Sequence, residues 1–151
     1  MVLLAECNAI ENDLDPALYC ALIDVESNWH PEKCEWQGEF IIPDGRDPDE
    51  WYMRGHRWGL TQVLGKDARE AGYVGELALL LEPEINLEWG ARVLAGMMGM
   101  AGGTARALML WRGANGNQFP ELVATRADAY RAFLAAEVRP SPLARGRSAR
   151  K

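Results

Sequence analysis

Glu26 is the residue whose place in the sequence most clearly suggests acid–base chemistry, because it closes an apolar helical run. Asp15 and Pro16 suit the start of that helix, and Pro31 restricts the backbone beyond its end, so we predict a helix over 16–27. At roughly 100° per residue, Glu26 projects toward the apolar stripe of this helix. A carboxyl shielded from water has a raised pKa and can hold a proton near neutral pH, which a general acid requires.

A structural role is the alternative for Glu26. The side chain could extend to solvent, or it could form an ion pair with Arg57 or Arg92. Perturbed carboxyls mark functional sites only statistically, so the helix alone does not decide between the two interpretations.

The elements that must position this acid are mainly helical. The pattern predicts an all-α fold, or an α fold with a minor β element, with helices over 2–13, 16–27, 59–72, 83–100 and 104–111 and from 120 onward. Gln62 would lie at the start of the third helix, beside the acid. Between 30 and 57 the periodicity is lost and Pro and Gly are frequent, which predicts a long irregular loop. The segment EFIIP, residues 39–43, is the candidate for a short strand pair.

Apolar stripes indicate which faces of the last helices point inward. The inward residues predicted for the longest helix and for the final one are Ile85, Trp89, Val93, Met97 and Met100, and Leu122, Val123, Tyr130, Phe133 and Leu134.

Length and charge restrict the class of protein. A chain of 151 residues suits one domain with a single core, which we place at 1–138, followed by a basic tail at 139–151 that we expect to be disordered. The net charge of −6 argues against nucleic-acid binding by the main domain. We expect a monomer.

Cysteine and histidine usage offers little for a metal or a disulfide framework. Three cysteines cannot all pair within one chain, so free thiols in a reducing compartment fit better. His30, Cys34 and His56 could form part of a metal site, but a structural zinc site needs four ligands and no Cys-x-x-Cys pair is present. We therefore expect neither a metal nor a cofactor.

The first residues, MVLLAECNAIEND, lack the basic and long apolar regions of a secretory signal, and no segment has the roughly 20 apolar residues of a membrane span. The expectation is a protein made in the cytoplasm.

Four motifs in order resemble the SLT-type lytic transglycosylases, lysozyme-like enzymes that cut bacterial peptidoglycan. The family pattern has an acid-Ser pair closing a helix, a Gly-Leu-x-Gln segment, a Pro-x-x-Asn helix containing Gly-Ala, and a Tyr-Asn-x-Gly turn. The matching residues are Glu26-Ser27, Gly59-Leu60-Thr61-Gln62, Pro83 to Asn86 with Gly90-Ala91, and Trp111 to Gly113. The resemblance covers about residues 14 to 135.

The resemblance implies a lysozyme-like single domain with a substrate cleft and one catalytic acid, Glu26. In such enzymes the Glu protonates the glycosidic oxygen between N-acetylmuramic acid and N-acetylglucosamine. It then takes the proton of the muramic C6 hydroxyl, which leaves a 1,6-anhydro end. The substrate's own N-acetyl oxygen assists, as in the substrate-assisted exceptions to two-carboxylate catalysis.

The resemblance also suggests roles for other residues, each with a structural alternative. Ser27 could orient the acetamide or simply be a helix-end hydroxyl, and Gly59 could allow close approach of the sugar or serve a turn. Trp111 and Tyr130 could line the glycan site or pack in the core. The residues expected to bind substrate are Ser27, Gly59, Gln62, Trp111 and Tyr130. Asn86 is expected to support the cleft floor through a buried hydrogen bond.

Two departures from the family pattern affect the expected function. Tyr-Asn is replaced by Trp111-Arg112, and the segment between the acid and Gly-Leu-x-Gln is longer than usual. The variant looks closest to those of bacteriophage, which would deliver it to the cell wall through a phage tail or lysis machinery.

Two other functions stay open from the sequence. One acid of the loop could activate water, which would make the protein a hydrolysing muramidase; the candidates are Glu39, Asp44, Asp47, Asp49 and Glu50. The protein could also be a glycan-binding virion component without catalysis.

Overall fold

The computed structural model describes residues 1–37, 44–113 and 117–137. These residues form seven α-helices, one short 3-10 helix and a three-stranded sheet, which confirms the predicted fold class. In chain order the elements are α1 (Val2–Glu11), α2 (Pro16–Ser27), β1 (Cys34–Trp36), α3 (Pro48–Arg54), β2 (His56–Trp58), β3 (Val63–Leu64), α4 (Gly65–Glu70), the 3-10 helix (Leu77–Leu81), α5 (Pro83–Ala101), α6 (Thr104–Arg112) and α7 (Phe119–Glu137).

Helix α2 is the central element of the core and packs against α1 and α7. Its ends follow the sequence prediction: the Asp15 side chain accepts a hydrogen bond from the amide of Ala17, and the helix stops at Ser27. Asn28 then adopts a left-handed conformation that terminates the helix. Inside the core, the hydroxyl of Tyr19 donates to the carbonyl of Leu87 at 2.6 Å and so joins α2 to α5.

The region predicted as one irregular loop contains regular structure, so that prediction was wrong in part. It holds β1, helix α3 and the start of β2, and the sheet is antiparallel in the order β1-β2-β3 with Trp36 paired to His56. Strands of two or three residues are too short to show a period. Helix α3, in contrast, carries a recognisable cap and first turn in Asp47 and Pro48. The segment EFIIP lies outside the described residues.

The predicted helix from Gly59 onward was also wrong at its start. Residues 59–62 form a turn between β2 and β3, and helix α4 begins only at Gly65. Gly59 and Gln62 both have positive φ angles, +64° and +54°, which are incompatible with a right-handed helix. The apolar side chains here are buried because the turn itself enters the core.

The inward stripes of the long helices were only partly correct. Met100 is 78% exposed and Phe133 is 60% exposed, and Leu122 and Leu134 also face solvent. Val93 is buried as predicted, and Ile85, Trp89 and Met97 are partly buried against the core. The other buried residues of α5 are Asn86, Leu87, Gly90, Ala91 and Leu94. Periodicity identifies an apolar stripe, but it does not reveal where a helix extends beyond the elements that cover it.

Two further expectations concern the ends and the surface. None of the helices among the described residues is long and apolar enough to span a bilayer. The predicted tail, 139–151, lies outside the described residues, so the domain boundary at 138 stays a prediction.

Candidate active site

The carboxyl of Glu26 lies in the last turn of α2, and the residue is only 2% exposed. Both carboxylate oxygens have a partner from the end of α6. The indole Nε1 of Trp111 donates to Oε1 at 3.2 Å, and Nη1 of Arg112 donates to Oε2 at 3.0 Å. The acid is therefore turned into the protein and held at two points.

Burial raises the pKa of the Glu26 carboxyl, because the charged form loses its hydration. The positive charges of Arg112, Arg57 and Lys33 act in the opposite direction, and so does the hydrogen bond from Trp111. Burial is the larger effect, and the pKa stays above the usual range of a glutamic acid. A carboxyl in this state can carry a proton at a higher pH than an exposed one.

A cavity of about 420 Å³ opens to solvent at the end of α2 and includes Glu26 in its lining. The other lining residues are Val25, Ser27, Asn28, His30, Glu32 and Lys33. The side chain of Lys33 joins two parts of this region. Its Nζ donates to the main-chain carbonyl of Glu26 at 2.5 Å and forms an ion pair with Glu35 at 3.0 Å. Glu26 is thus one of the residues that border an open cavity.

The turn of residues 59–62 is anchored to the same region by Gln62, which is fully buried. Its Nε2 donates to the carbonyls of Lys33 and Gly59, both at 2.9 Å, and its main-chain carbonyl accepts from Arg57 at 3.0 Å. Within the described residues, Oε1 of Gln62 has no hydrogen-bond partner. This oxygen is the unused acceptor of the turn.

Asn86 on α5 fixes the turn with all four hydrogen bonds that its side chain can make. Oδ1 accepts from the amide of Thr61 at 2.8 Å and from its hydroxyl at 2.9 Å. Nδ2 donates to the carbonyls of Trp58 and Leu80, both at 2.7 Å. The side chain is fully buried, so the position of the turn depends on these four bonds.

Gly59 is required by the packing of this turn. Its φ is +64°, and a Cβ atom would lie 2.5 Å from Nδ2 of Asn86 and 2.7 Å from the carbonyl oxygen of Leu80. The amide of Gly59 also donates to the carbonyl of Lys33 at 2.7 Å. These observations favour the turn requirement over close approach of a sugar as the reason for glycine.

Ser27 follows the acid in the chain, but Ser27 and Tyr130 both make hydrogen bonds to groups other than the Glu26 carboxyl. The Ser27 hydroxyl donates to the carbonyl of Ile23 one turn earlier, at 3.1 Å. The Tyr130 hydroxyl accepts a hydrogen bond from Nε1 of Trp29 at 3.3 Å. Of the predicted substrate-binding residues, Trp111 is the one whose side chain contacts the Glu26 carboxyl directly.

Of the three cations that lower the pKa of Glu26, only Arg57 was predicted from the sequence as a possible partner. Arg112 had been noted only as a departure from the family pattern, and Lys33 had not been singled out. Arg57 is buried and donates to the main-chain carbonyls of Gln62 and Trp111, while Arg92 pairs with Glu88 instead of Glu26. Strand β2 has only three residues, and two adjacent ones, Arg57 and Trp58, are buried, so its pattern gave no signal for the burial of Arg57.

No cluster of three or more His, Cys, Asp or Glu side chains that could hold a metal ion occurs in the part of the chain that the structure describes. Cys7 and Cys34 are exposed free thiols, and Cys20 is a buried one.

Among the described residues, Glu26 is the one buried carboxyl. A mostly helical domain with a small sheet is consistent with a lysozyme-like fold. Comparison with family models agrees: the transglycosylase SLT domain matches residues 4–124, and the chain belongs to this family. Membership implies a peptidoglycan substrate and chemistry of the lytic transglycosylase type. Comparisons with curated proteins and with solved structures gave no match.

Proposed function

We propose that the protein cleaves the β-1,4 bond between N-acetylmuramic acid and N-acetylglucosamine in peptidoglycan, with Glu26 as its catalytic acid and base. The observation that carries the proposal is a buried carboxyl of raised pKa on a residue that lines an open cavity. The family match supplies the substrate class.

In the first step, protonated Glu26 gives its proton to the glycosidic oxygen as the bond from that oxygen to C1 of the muramic residue breaks. The N-acetylglucosamine end leaves as an alcohol. Positive charge develops at C1, and the acetamide oxygen of the same sugar stabilises it. Burial favours the protonated form before this transfer.

In the second step, the Glu26 carboxylate takes the proton of the muramic C6 hydroxyl. The C6 oxygen bonds to C1, which closes the 1,6-anhydro ring and returns Glu26 to its protonated form. Trp111 and Arg112 stabilise the carboxylate between the two steps, because both donate hydrogen bonds to it. One carboxyl therefore suffices for both proton transfers.

Two of the loop acids considered for a hydrolytic mechanism, Glu50 and Asp47, make contacts away from Glu26. Glu50 pairs with Arg54 and Arg69, and these guanidinium groups lower its pKa. Asp47 caps α3 through the amide of Asp49, and both residues are exposed, as is Asp44. Glu39 lies outside the described residues. These contacts support transglycosylation as the preferred reaction, with hydrolysis as the alternative.

Gln62 and Trp111 stay in the proposed site, although both side chains are buried and neither lines the open cavity. The unpartnered Oε1 of Gln62 could accept a hydrogen bond from a sugar hydroxyl or an acetamide N–H. Trp111 would act through the carboxyl that it contacts. Binding roles for Ser27, Gly59 and Tyr130, a monomeric state and delivery by a phage apparatus stay predictions.

The test is release of soluble fragments from purified peptidoglycan by wild type, Glu26→Gln and Glu32→Gln. Glu32 is an exposed acid in the lining of the same cavity and serves as the matched control. We expect activity from wild type and Glu32→Gln and loss of at least about a thousandfold in Glu26→Gln, in line with removal of an essential acid–base group. Activity retained by Glu26→Gln would refute the assigned role, and binding without cleavage by wild type would favour the non-catalytic alternative.

A further inference from the structure

The contacts of the Glu26 carboxyl favour its ionised form and so act against the effect of burial. Among the described residues, its two oxygens receive hydrogen bonds from an indole N–H and a guanidinium N–H. Neither group can accept a hydrogen bond. A protonated carboxyl gains an O–H donor but keeps acceptor capacity on its oxygens, so both contacts can persist. Because hydrogen bonds to the charged carboxylate are stronger, each contact opposes protonation of Glu26.

Arg112 is the partner that can leave. Trp111 is only 1% exposed, and its ring is fixed by the core, whereas the Arg112 side chain is 35% exposed. The Arg112 guanidinium also lies 5.9 Å from the ring centroid of Phe119, which gives it a second contact at the edge of the site. Release of Arg112 would free Oε2 without disturbing the core.

The other charged groups around Glu26 are bound in place. Arg57 from β2 donates to the main-chain carbonyls of Gln62 and Trp111, and Lys33 donates to the main-chain carbonyl of Glu26 and pairs with Glu35. From α7, Arg126 pairs with Asp24 at 3.0 Å. Arg112 is thus the one of these cations whose side chain bonds to the carboxyl itself.

We propose that Arg112 is a positioning residue that governs the protonation of Glu26. While its guanidinium lies on Oε2, it favours the carboxylate and opposes the effect of burial; when the guanidinium moves away, Glu26 takes a proton from solvent more readily and can deliver it to the sugar. Arg112 keeps its own charge throughout and returns to the carboxylate after the transfer. The inference rests on the proposed function of Glu26 as the acid.

The effect on Glu26 has a definite sign. The Arg112 charge opposes the increase in pKa that burial causes. Without this charge the pKa of Glu26 rises further, so the fully protonated carboxyl persists to a higher pH. In a pH–rate profile, the decline of activity on the basic side then moves to higher pH.

The experiment compares wild type with Arg112→Met, Arg112→Asn, Arg112→Lys and Arg126→Met. The Glu26 carboxyl is titrated by ¹³C NMR and assigned by its absence in Glu26→Gln; peptidoglycan cleavage is measured over the same pH range. Two neutral variants at position 112 are used so that the test still stands if one of them fails to fold. Arg112→Lys keeps the positive charge. Arg126→Met removes the same charge from the side chain that pairs with Asp24.

We expect a higher Glu26 pKa and a basic limb at higher pH in the neutral variants at 112, values close to wild type in Arg112→Lys, and no shift in Arg126→Met. An unchanged pKa in folded Arg112→Met or Arg112→Asn, or an equal shift in Arg126→Met, would overturn the proposal. A merely structural role would lower the rate equally at every pH. The NMR titration tests the effect of Arg112 on the pKa of Glu26 even if the wild-type protein is inactive. Inactive wild type would count against the proposed function and not against this effect.

Discussion

The indole N–H of Trp111 points at Oε1 of Glu26 from a distance of 3.2 Å, although 85 residues separate the two in the sequence. Trp111 stands where the family pattern has tyrosine. It provides a buried donor that cannot also accept, and therefore it stabilises the carboxylate specifically. The contact joins the end of α2 to the end of α6 and fixes one oxygen of the acid.

Replacement of Trp111 by Phe should raise the pKa of Glu26, because the hydrogen bond from the indole lowers it. A hydrogen bond to a charged group contributes about 1.5–3 kcal/mol, so we expect cleavage to slow by roughly tenfold or more. The basic limb of the pH–rate profile should move to higher pH. Trp58→Phe is the matched control, since its Nε1 donates to the carbonyl of Met53 and has no contact with the acid. Equal effects of the two substitutions would count against a specific role for Trp111.

Glu26→Gln should stabilise the folded protein at neutral pH while it removes activity. A carboxyl whose pKa is raised by folding favours the folded state below its unfolded pKa, and this advantage is lost as the pH rises through the folded value. Glutamine has no such loss. The difference in melting temperature should be near zero at pH 4 and grow toward pH 7.5, where 1 kcal/mol corresponds to about 2–4 °C. A constant difference across this range would contradict the raised pKa.

Asn86→Ala should destabilise the protein strongly, because buried groups that bind the asparagine side chain would be left without hydrogen bonds. The amide of Thr61 and the carbonyls of Trp58 and Leu80 would lose their hydrogen bonds, at about 1–3 kcal/mol for each buried group. We expect the free energy of unfolding, measured in urea, to fall by about 3 kcal/mol or more. Asn12→Ala removes a single bond, from Asn12 to the carbonyl of Asn8, and should cost less than about 1 kcal/mol.

Two glycines of α5 should respond in opposite directions to alanine. A Cβ at Gly90 would lie 2.6 Å from Oγ1 and Cγ2 of Thr61, and we expect a loss of about 1–3 kcal/mol from this overpacking. Gly96 has no atom within 4 Å of the added Cβ, so alanine should stabilise the helix there by about 0.5–1 kcal/mol. Stabilisation by Gly90→Ala would show that α5 does not pack closely on the turn.

The helices could be predicted from the sequence wherever local signals define their ends. Asp15 and Pro16 start α2, Pro83 starts α5, and Gly102 ends α5 in a left-handed conformation. These signals act over a few residues, so one sequence suffices to find them. The turn of residues 59–62 was missed because its apolar side chains imitate helical spacing, although Gly59 was the clue to a positive φ.

From residue patterns alone, only Glu26, the central residue of the candidate site, could be predicted. The direction of Glu26 follows from the periodicity of α2, and the family resemblance added Gln62 and Asn86. The pairing with Arg112 joins residues 86 positions apart, and no local pattern predicts which of the chain's arginines meets a given acid. Tertiary packing decides that contact, so it becomes visible only in the folded structure.

The most direct test of the account is digestion of purified peptidoglycan by the wild-type protein in ¹⁸O-labelled water, followed by mass spectrometry of the released sugars. If Glu26 transfers both protons and the C6 oxygen attacks C1, the products carry 1,6-anhydro ends, are lighter by one water than reducing sugars, and contain no ¹⁸O. Reducing ends labelled with ¹⁸O would contradict the account and identify the reaction as hydrolysis.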